Sequence, residues 1–168
     1  MKIKVKLSQG SIQAARDQLT ATDDWLMEKT EEFVRKLAEH GIPVIDRKIA
    51  QAQGDSDKSH YTHVEIVSFQ TYARATLVVE GRDLVFIEYG SGVHYNGHPH
   101  SSPHPYGVQK GYTIGDFSPK HLGLQDSWFY RNSGGLQRSY GTEATMPVWS
   151  AYQSIVNNYK KIAQEVFK

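Results

Sequence analysis

The chain has 168 residues and a mass of 19.0 kDa, the usual size of one domain, so a single domain over residues 1–168 is expected. Nineteen basic and eighteen acidic residues leave a formal charge of +1, which by itself gives no electrostatic attraction for nucleic acid or anionic lipid and disfavours a freestanding DNA-binding protein. The absence of cysteine excludes a disulfide scaffold, a thiolate zinc site and a cysteine nucleophile.

The first predicted element is a strand over residues 1–7, in which Ile3, Val5 and Leu7 alternate with lysines. This alternation does not resemble the continuous apolar stretch of a signal peptide. No uncharged apolar run of about 18 residues occurs anywhere in the chain. We therefore predict no signal peptide and no membrane span.

Two helices are expected next. A short one covers residues 11–20, and Thr22 or Asp23 caps a second, stronger one. Gly41 is expected to end the second helix in a left-handed C-cap, with a further helical turn over residues 45–49. The core-facing stripe predicted for the second helix consists of Leu26, the stem of Lys29, Phe33 and Leu37.

The middle of the chain predicts a sheet. Residues 53–59 are small, polar or charged and indicate a mobile surface loop. Two segments rich in Val, Ile, Tyr, Phe and Thr, residues 61–69 and 73–80, predict adjacent strands. A turn at residues 81–83 precedes residues 84–89, for which strand and short helix both remain open.

The composition changes over residues 89–140, which hold nine of the fourteen Gly, four of the six Pro and five of the eight His. So long an irregular segment is uncommon in a compact domain unless it binds a partner, so we expect function to lie here. Residues 128–130, Trp-Phe-Tyr, predict a short strand that anchors this loop.

The last element is predicted to be an amphipathic helix over residues 146–166, with Pro147 in its first turn. Trp149 and Tyr152 are assigned to its core side. The apolar stripe of this helix is predicted to be Val148, Tyr152, Ile155, Tyr159, Ile162 and Val166. The expected fold class is therefore α+β: a small antiparallel sheet packed with an N-terminal helical segment and a long C-terminal helix, plus a long irregular loop.

Four histidines within the loop are candidate metal ligands: His94, His98, His100 and His104. Three imidazoles gathered on zinc or nickel would allow a metal-dependent hydrolase, which is the alternative function. Structural zinc ligands usually lie on rigid elements with orienting partners, and the prolines of this loop limit how its histidines converge. A polar, partner-facing loop without metal or other cofactor is therefore the preferred interpretation.

Other residues in the loop have ordinary structural explanations. Gly90-Ser91-Gly92 lacks the flanking residues of a phosphate loop or nucleophile elbow and predicts a tight turn. Nothing in the spacing of three carboxylates, Glu88, Asp116 and Asp126, places them in one cleft, so catalysis is not expected. The aromatic residues suit a sugar-binding module or, better, a protein interface: Tyr89, Tyr95, Tyr106, Tyr112, Trp128, Phe129 and Tyr130.

Three strings, taken in order, resemble a known family. They are Phe-Ile-Glu-Tyr-Gly-Ser-Gly at residues 86–92, Trp-Phe-Tyr at 128–130, and Tyr-Gly-Thr-Glu-Ala-Thr-Met-Pro at 140–147 before the last helix. With the His/Pro/Gly/Tyr-rich stretch between them, the chain resembles the tail-component, or minor capsid, family of tailed bacteriophages and phage-derived particles. The helical region at residues 25–40 is also similar, so the resemblance covers most of the chain.

The resemblance implies a structural protein of the head-tail connector, neck or tail completion region that acts by assembly and not by catalysis. Its partners would be further copies of itself in a ring and neighbouring connector or tail proteins, with DNA near the lumen and no membrane. Its location would be the virion or a phage-tail-like particle, assembled in the bacterial host cytoplasm. The predicted contact residues are Glu88, Tyr89, Gly90, Gly92, His94, Tyr95, His98, His100, His104, Tyr106, Tyr112, Trp128 and Tyr130.

Overall fold

The computed structural model describes residues 8–69, 71–90, 94–95, 98–99, 128–132, 134–139 and 141–168. These residues have the predicted α+β arrangement. The predicted strand over residues 1–7 lies outside them. The helices are α1 (Gln9–Gln51), α2 (Leu84–Tyr89) and α3 (Pro147–Val166), and the strands are β1 (His60–Ser68), β2 (Ala73–Gly81), β3 (His94–Tyr95), β4 (His98–Pro99), β5 (Trp128–Asn132) and β6 (Gly135–Ser139).

The N-terminal region is one helix of 43 residues, where two were expected. Ser8 caps α1, since its hydroxyl accepts a hydrogen bond from Ser11 N–H at 3.4 Å. The expected cap at Thr22 or Asp23 is wrong, because the Thr22 hydroxyl donates to the carbonyl of Gln18 within the continuing helix. Ion pairs support the middle of α1: Glu31–Arg35, Glu32–Lys29 and Glu32–Lys36.

The pKa of Glu32 is lowered from its ordinary value of 4.5 to about 2, because the ammonium groups of Lys29 and Lys36 hydrogen-bond its carboxylate. The neighbouring Glu31 also has a lowered pKa, chiefly because the Ser68 hydroxyl donates to its carboxylate and secondly because of Arg35. The Glu32 carboxylate thus links adjacent turns of α1, and the Glu31 carboxylate links α1 to the end of β1.

Gly41 does not end α1, which continues through it and through Pro43. A Cβ on Gly41 would overlap the Leu77 side chain and lie 3.3 Å from Cδ1 of Ile155. Glycine suits this position because β2 and α3 both approach the helix closely, so that a Cβ would displace the Leu77 side chain, and not because the chain turns. Packing on two sides stabilises a helix that the local sequence would interrupt.

Strands β1 and β2 form an antiparallel hairpin that packs on α1, with His60 opposite Gly81 and Ser68 opposite Ala73. The predicted strands are thus confirmed to within one residue at each end. At the tip, Phe69 N–H donates to the Tyr72 carbonyl at 2.9 Å and the two rings stack with centroids 4.5 Å apart.

Helix α3 lies antiparallel to the second half of α1. Ser154 shares a hydrogen bond with His40 at 3.0 Å, and the Phe167 ring beyond the end of α3 lies 5.7 Å from that of Phe33. The main buried cluster lies where α1, α2 and α3 meet, with Leu77 of β2 packed against it. Its members are Ile45, Ile49, Ala52, Ile87 and Ala151.

The buried side of α3 differs from the predicted stripe, because Ala151 takes the central position against Gly41. Ile162 and Val166 are buried as predicted, whereas Tyr152 is 54% exposed and Trp149 is only half-buried. Their assignment to the core is therefore wrong for Tyr152 and only partly right for Trp149. The small pair Gly41 and Ala151 sets the rotation of α3 about its axis, because it permits the closest approach of the two helices.

Two further ribbons lie in the predicted loop region. Strand β3 pairs with β4, and β5 pairs with β6, both antiparallel. The short strand predicted at residues 128–130 is confirmed as part of β5. Among the helices of the described ranges, none is both long enough and apolar enough to cross a membrane.

Candidate functional site

Helix α3 begins without a capping residue of its own. The residue before it, Met146, has left-handed backbone angles (φ 52°, ψ 56°) and makes no side-chain cap. Pro147 has no N–H, and the first hydrogen bond within the helix runs from Ser150 N–H to the Met146 carbonyl. The N–H groups of Val148 and Trp149 therefore need acceptors from elsewhere in the fold.

Glu88 supplies both acceptors. One oxygen of its carboxylate, Oε2, accepts from Val148 N–H at 2.7 Å, and Oε1 accepts from Trp149 N–H at 3.0 Å. Glu88 is only 8% exposed, so the accepting carboxylate of both hydrogen bonds is largely shielded from water. A carboxylate at the positive end of the helix dipole is favoured electrostatically as well. Glu88 is thus a helix cap provided by a residue 60 positions earlier in the chain.

The same two segments also meet through their backbones. Thr145 N–H donates to the Ile87 carbonyl at 3.0 Å. Gly90, with φ 81°, lies against Ala144, whose Cβ would be 3.3 Å from a Cβ at position 90. We call this contact between residues 86–90 and 141–149 the joint.

The loop after α1 forms a third side of the joint. Glu143 N–H donates to the Gln53 carbonyl at 3.0 Å, and the hydroxyls of Ser56 and Thr142 are 2.6 Å apart. Gly54 forms an isolated bridge with Thr142 at φ 120°, and a Cβ there would overlap the carbonyl oxygen of Gly141. Residues 53–59 form a loop as predicted, and three of them, Gln53, Gly54 and Ser56, contact residues 141–143.

The joint holds both ends of the predicted contact loop. Residue 90 ends one segment of the joint and residue 141 begins the other, so residues 91–140 leave from and return to one place.

Of the predicted contact residues, Glu88 is buried, and Tyr89 and Gly90 are half-buried. His94, Tyr95, His98, Trp128 and Tyr130 lie on strands whose side chains at these positions are outside the described part. Gly92, His100, His104, Tyr106 and Tyr112 lie outside the described residues altogether.

The structure bears on the chemical alternatives only in part. Within the described ranges, no group of three or more His, Asp or Glu side chains converges on a point where a metal ion would sit. The four-histidine alternative depends on side chains outside those ranges and stays a prediction. Of the three carboxylates considered for acid-base chemistry, Glu88 is occupied by the two helix N–H groups, whereas Asp116 and Asp126 lie outside the described residues.

A groove of about 460 Å³ lies between α1 and α3. Arg47 and Lys48 line it from α1, and Trp149 lines it from α3 together with hydroxyl and carboxamide side chains. Both charged residues among those that line it are cationic. Sequence reasoning missed the groove, because it combines residues about 100 positions apart whose spacing carries no common motif.

Sequence reasoning also missed the part played by residues 53–56 in the joint. Their one local signal is Gly54 in a polar stretch, which indicates a turn but not what it packs against.

Comparison of the chain with protein-family models, with curated proteins and with solved structures finds no match.

Proposed function

We propose that this chain is a structural subunit of the head-tail connector, neck or tail completion region of a tailed phage or phage-tail-like particle. In this proposal it works by assembly into a ring, residues 89–140 contact neighbouring subunits, and no reaction is catalysed. The subunit is located in the particle, which is assembled in the bacterial host cytoplasm. The proposal rests on the resemblance of the strings at residues 86–92, 128–130 and 140–147 to the tail-component family.

The observation that carries the proposal furthest is the joint. Residues 93–139 separate two of the strings that suggested the family, yet these strings contact each other through Ile87 and Thr145, and Glu88 also binds the start of α3. A fixed base at both ends lets a long contact loop be presented without disturbing the body. This is what a ring subunit needs if its loops become ordered on neighbouring subunits.

The β3–β4 ribbon supports the same division. Its two strands pair with each other, His94 opposite Pro99 and Tyr95 opposite His98, and with no other strand among the described residues. Removing this ribbon therefore leaves the hydrogen bonds of the β1–β2 hairpin and of α3 intact.

Particles purified from the cell that encodes the chain provide the test. A tag after Lys168 should appear as a ring at the head-tail or tail-end junction in negative-stain images. A chain lacking residues 94–123 should be missing from particles, while its free energy of unfolding changes by no more than about 1.5 kcal/mol, the scale of loop-closure entropy. Absence of the tagged full-length chain from all particles would refute the proposal.

A matched control replaces residues 94–123 with the same residues in scrambled order, which keeps the loop length and composition. The scrambled chain should also fail to enter particles, because specific contacts and not loop length are required. If purified protein keeps stoichiometric zinc through dialysis, the four-histidine hydrolase replaces this proposal.

A further inference from the structure

The first half of α1 extends past the rest of the described body. Phe167 and Ser68 contact α1 at Phe33 and Glu31, respectively, so α3 and the β1–β2 hairpin both reach the helix only at about residue 30. Residues 9–28 of α1, about 30 Å at about 1.5 Å per residue, lie beyond these two contacts. We call this part of the helix the arm.

The arm carries large apolar side chains that are about half exposed: Ile12, Leu19, Trp25 and Leu26, with Leu19 at 53%. Ile12, Leu19 and Leu26 are seven residues apart and therefore lie along one face of the helix. A helix with an apolar face of this kind normally packs that face against another element. Within the described part of this chain, α3 and the hairpin end before they reach it.

A second exposed apolar row lies on α3. Val148, Tyr152, Val156 and Tyr159 are spaced by four, four and three residues, which places them on one face, and each is between 43% and 54% exposed. We call this row the α3 stripe. It is distinct from the buried side of α3, which Ala151 and Ile162 mark.

We infer that the arm of one copy of this chain docks on the α3 stripe of a second copy. The arm cannot reach the stripe of its own chain, because α3 lies antiparallel beside the second half of α1 while the arm continues in the opposite direction past Phe33. A contact between arm and stripe is therefore intermolecular.

Length and charge both match. Ile12 to Leu26 spans about 21 Å and Val148 to Tyr159 about 17 Å at about 1.5 Å per residue. The arm carries four acidic residues, Asp17, Asp23, Asp24 and Glu28, against one basic residue, Arg16, so its net charge is negative. Helix α3 carries Lys160 and Lys161 against one acidic residue, Glu165, so its net charge is positive. Of the two lysines, Lys160 lies beside the stripe, with its ammonium 5.9 Å from the centroid of the Tyr159 ring. Opposite net charges on two surfaces steer their association.

The contact joins two different surfaces, so each copy uses its arm on one neighbour and offers its stripe to another. Repetition of such a contact closes into a ring or continues as a filament, depending on the rotation between copies. The inference thereby deepens the ring-subunit proposal, on which its biological role rests, although the contact itself can be measured with purified protein.

The natural chain has no cysteine, so single-cysteine variants can be cross-linked without background. Thr20→Cys labels the exposed side of the arm and Gln153→Cys labels α3 beside the stripe, and both leave the apolar rows intact. An equimolar mixture treated with a short bismaleimide should give cross-linked dimers in a yield several-fold above that of either variant alone. Tyr61→Cys, on an exposed β1 position away from both rows, is the matched control and should cross-link to neither.

Charged substitutions then test the surfaces themselves. Leu19→Glu in the Thr20→Cys chain, or Tyr152→Glu in the Gln153→Cys chain, should lower the dimer yield about tenfold or more, as loss of a central contact does. Tyr61→Glu should leave it unchanged. Circular dichroism should show all variants folded, because every substituted side chain is exposed.

The inference is overturned if the mixture gives no more dimer than the Tyr61→Cys control, or if the charged variants cross-link as well as the parent chains. Particle incorporation is a separate measurement. A chain found in particles without the cross-link overturns this contact alone, whereas a cross-link in a chain absent from particles overturns the ring-subunit proposal and leaves the contact standing.

Discussion

Replacing Glu88 is the most direct perturbation of the joint. Glu88→Ala removes the acceptors of two backbone N–H groups, 2.7 and 3.0 Å from its oxygens, at a side chain that is 8% exposed. Loss of a helix cap costs about 0.5–2 kcal/mol, and a buried donor left without a partner costs about 1–3 kcal/mol. These two ranges describe the same lost interactions and are not added, so we expect the free energy of unfolding to fall by about 3 kcal/mol.

Glu88→Gln keeps one acceptor oxygen but loses the charge at the positive end of the helix dipole. It should therefore lie between the wild type and Glu88→Ala, at about 1–2 kcal/mol. The matched control is Glu143→Ala, which removes a carboxylate from the same joint. The contact of Glu143 there runs through its backbone N–H to the Gln53 carbonyl, which the substitution preserves, so stability should change by less than about 0.5 kcal/mol.

Urea unfolding followed by circular dichroism at constant slope measures these differences. At about 2–4 °C per kcal/mol for a chain of this size, Glu88→Ala should melt about 6–12 °C lower. Amide hydrogen exchange gives the local readout: the amides of Val148 and Trp149 should lose protection in Glu88→Ala, and those in the middle of α3 should change only with global stability. If Glu88→Ala unfolds within 0.5 kcal/mol of the wild type, or if these two amides stay protected, the carboxylate is not the cap described here.

Three further predictions use paired positions or a pH window. Gly41→Ala should destabilise by about 1–3 kcal/mol in urea unfolding through overpacking, whereas Gly10→Ala in the same helix, with nothing within 4 Å, should stabilise by up to about 1 kcal/mol; equal effects would contradict the close packing at position 41. Gly54→Ala combines a positive φ with a backbone overlap, so it should destabilise the fold by at least about 2 kcal/mol more than Gly135→Ala, where φ is 104° and the space is open. Thermal melting compares the two variants, and an equal loss of stability would show that φ alone matters. Because the pKa of Glu32 is lowered, its ion pairs stabilise the fold fully above pH 4.5 and cease to do so as the pH falls to about 2. The free energy of unfolding of Glu32→Gln should therefore converge on that of the wild type across that window. An NMR titration in which the Glu32 carboxyl group titrates near pH 4.5 would refute the lowered pKa.

Several elements follow from local patterns, and the structure confirms them. The strands β1 and β2 were readable because β-branched and aromatic residues cluster in two runs separated by a short polar turn. Pro147 at the first position of α3 was readable because its missing N–H is tolerated only there. These signals depend on near neighbours in the chain and so survive without tertiary information.

The errors occur where packing outweighs local preference. Gly41 carries the usual signal of a helix end, yet α1 continues through it, with Leu77 and Ile155 packed closely against the space that a Cβ would occupy. Tyr152 has the spacing of a core residue, yet Ala151 takes the position against α1 because the smaller side chain allows closer helix contact. Helical periodicity identifies an apolar face but cannot choose between two adjacent ones.

The amino-acid sequence by itself determined the fold class, the strand pairing of the central hairpin, the last helix and the limits of the glycine- and histidine-rich segment, because each follows from local composition or from the spacing of neighbouring residues. Only the tertiary structure decided that α1 is one long helix with a projecting arm, and that Glu88 caps a helix beginning 59 residues later at Pro147. Both depend on which distant surfaces come close enough to exclude water, and a buried carboxylate acquires its partner only when the chain has brought the two segments together.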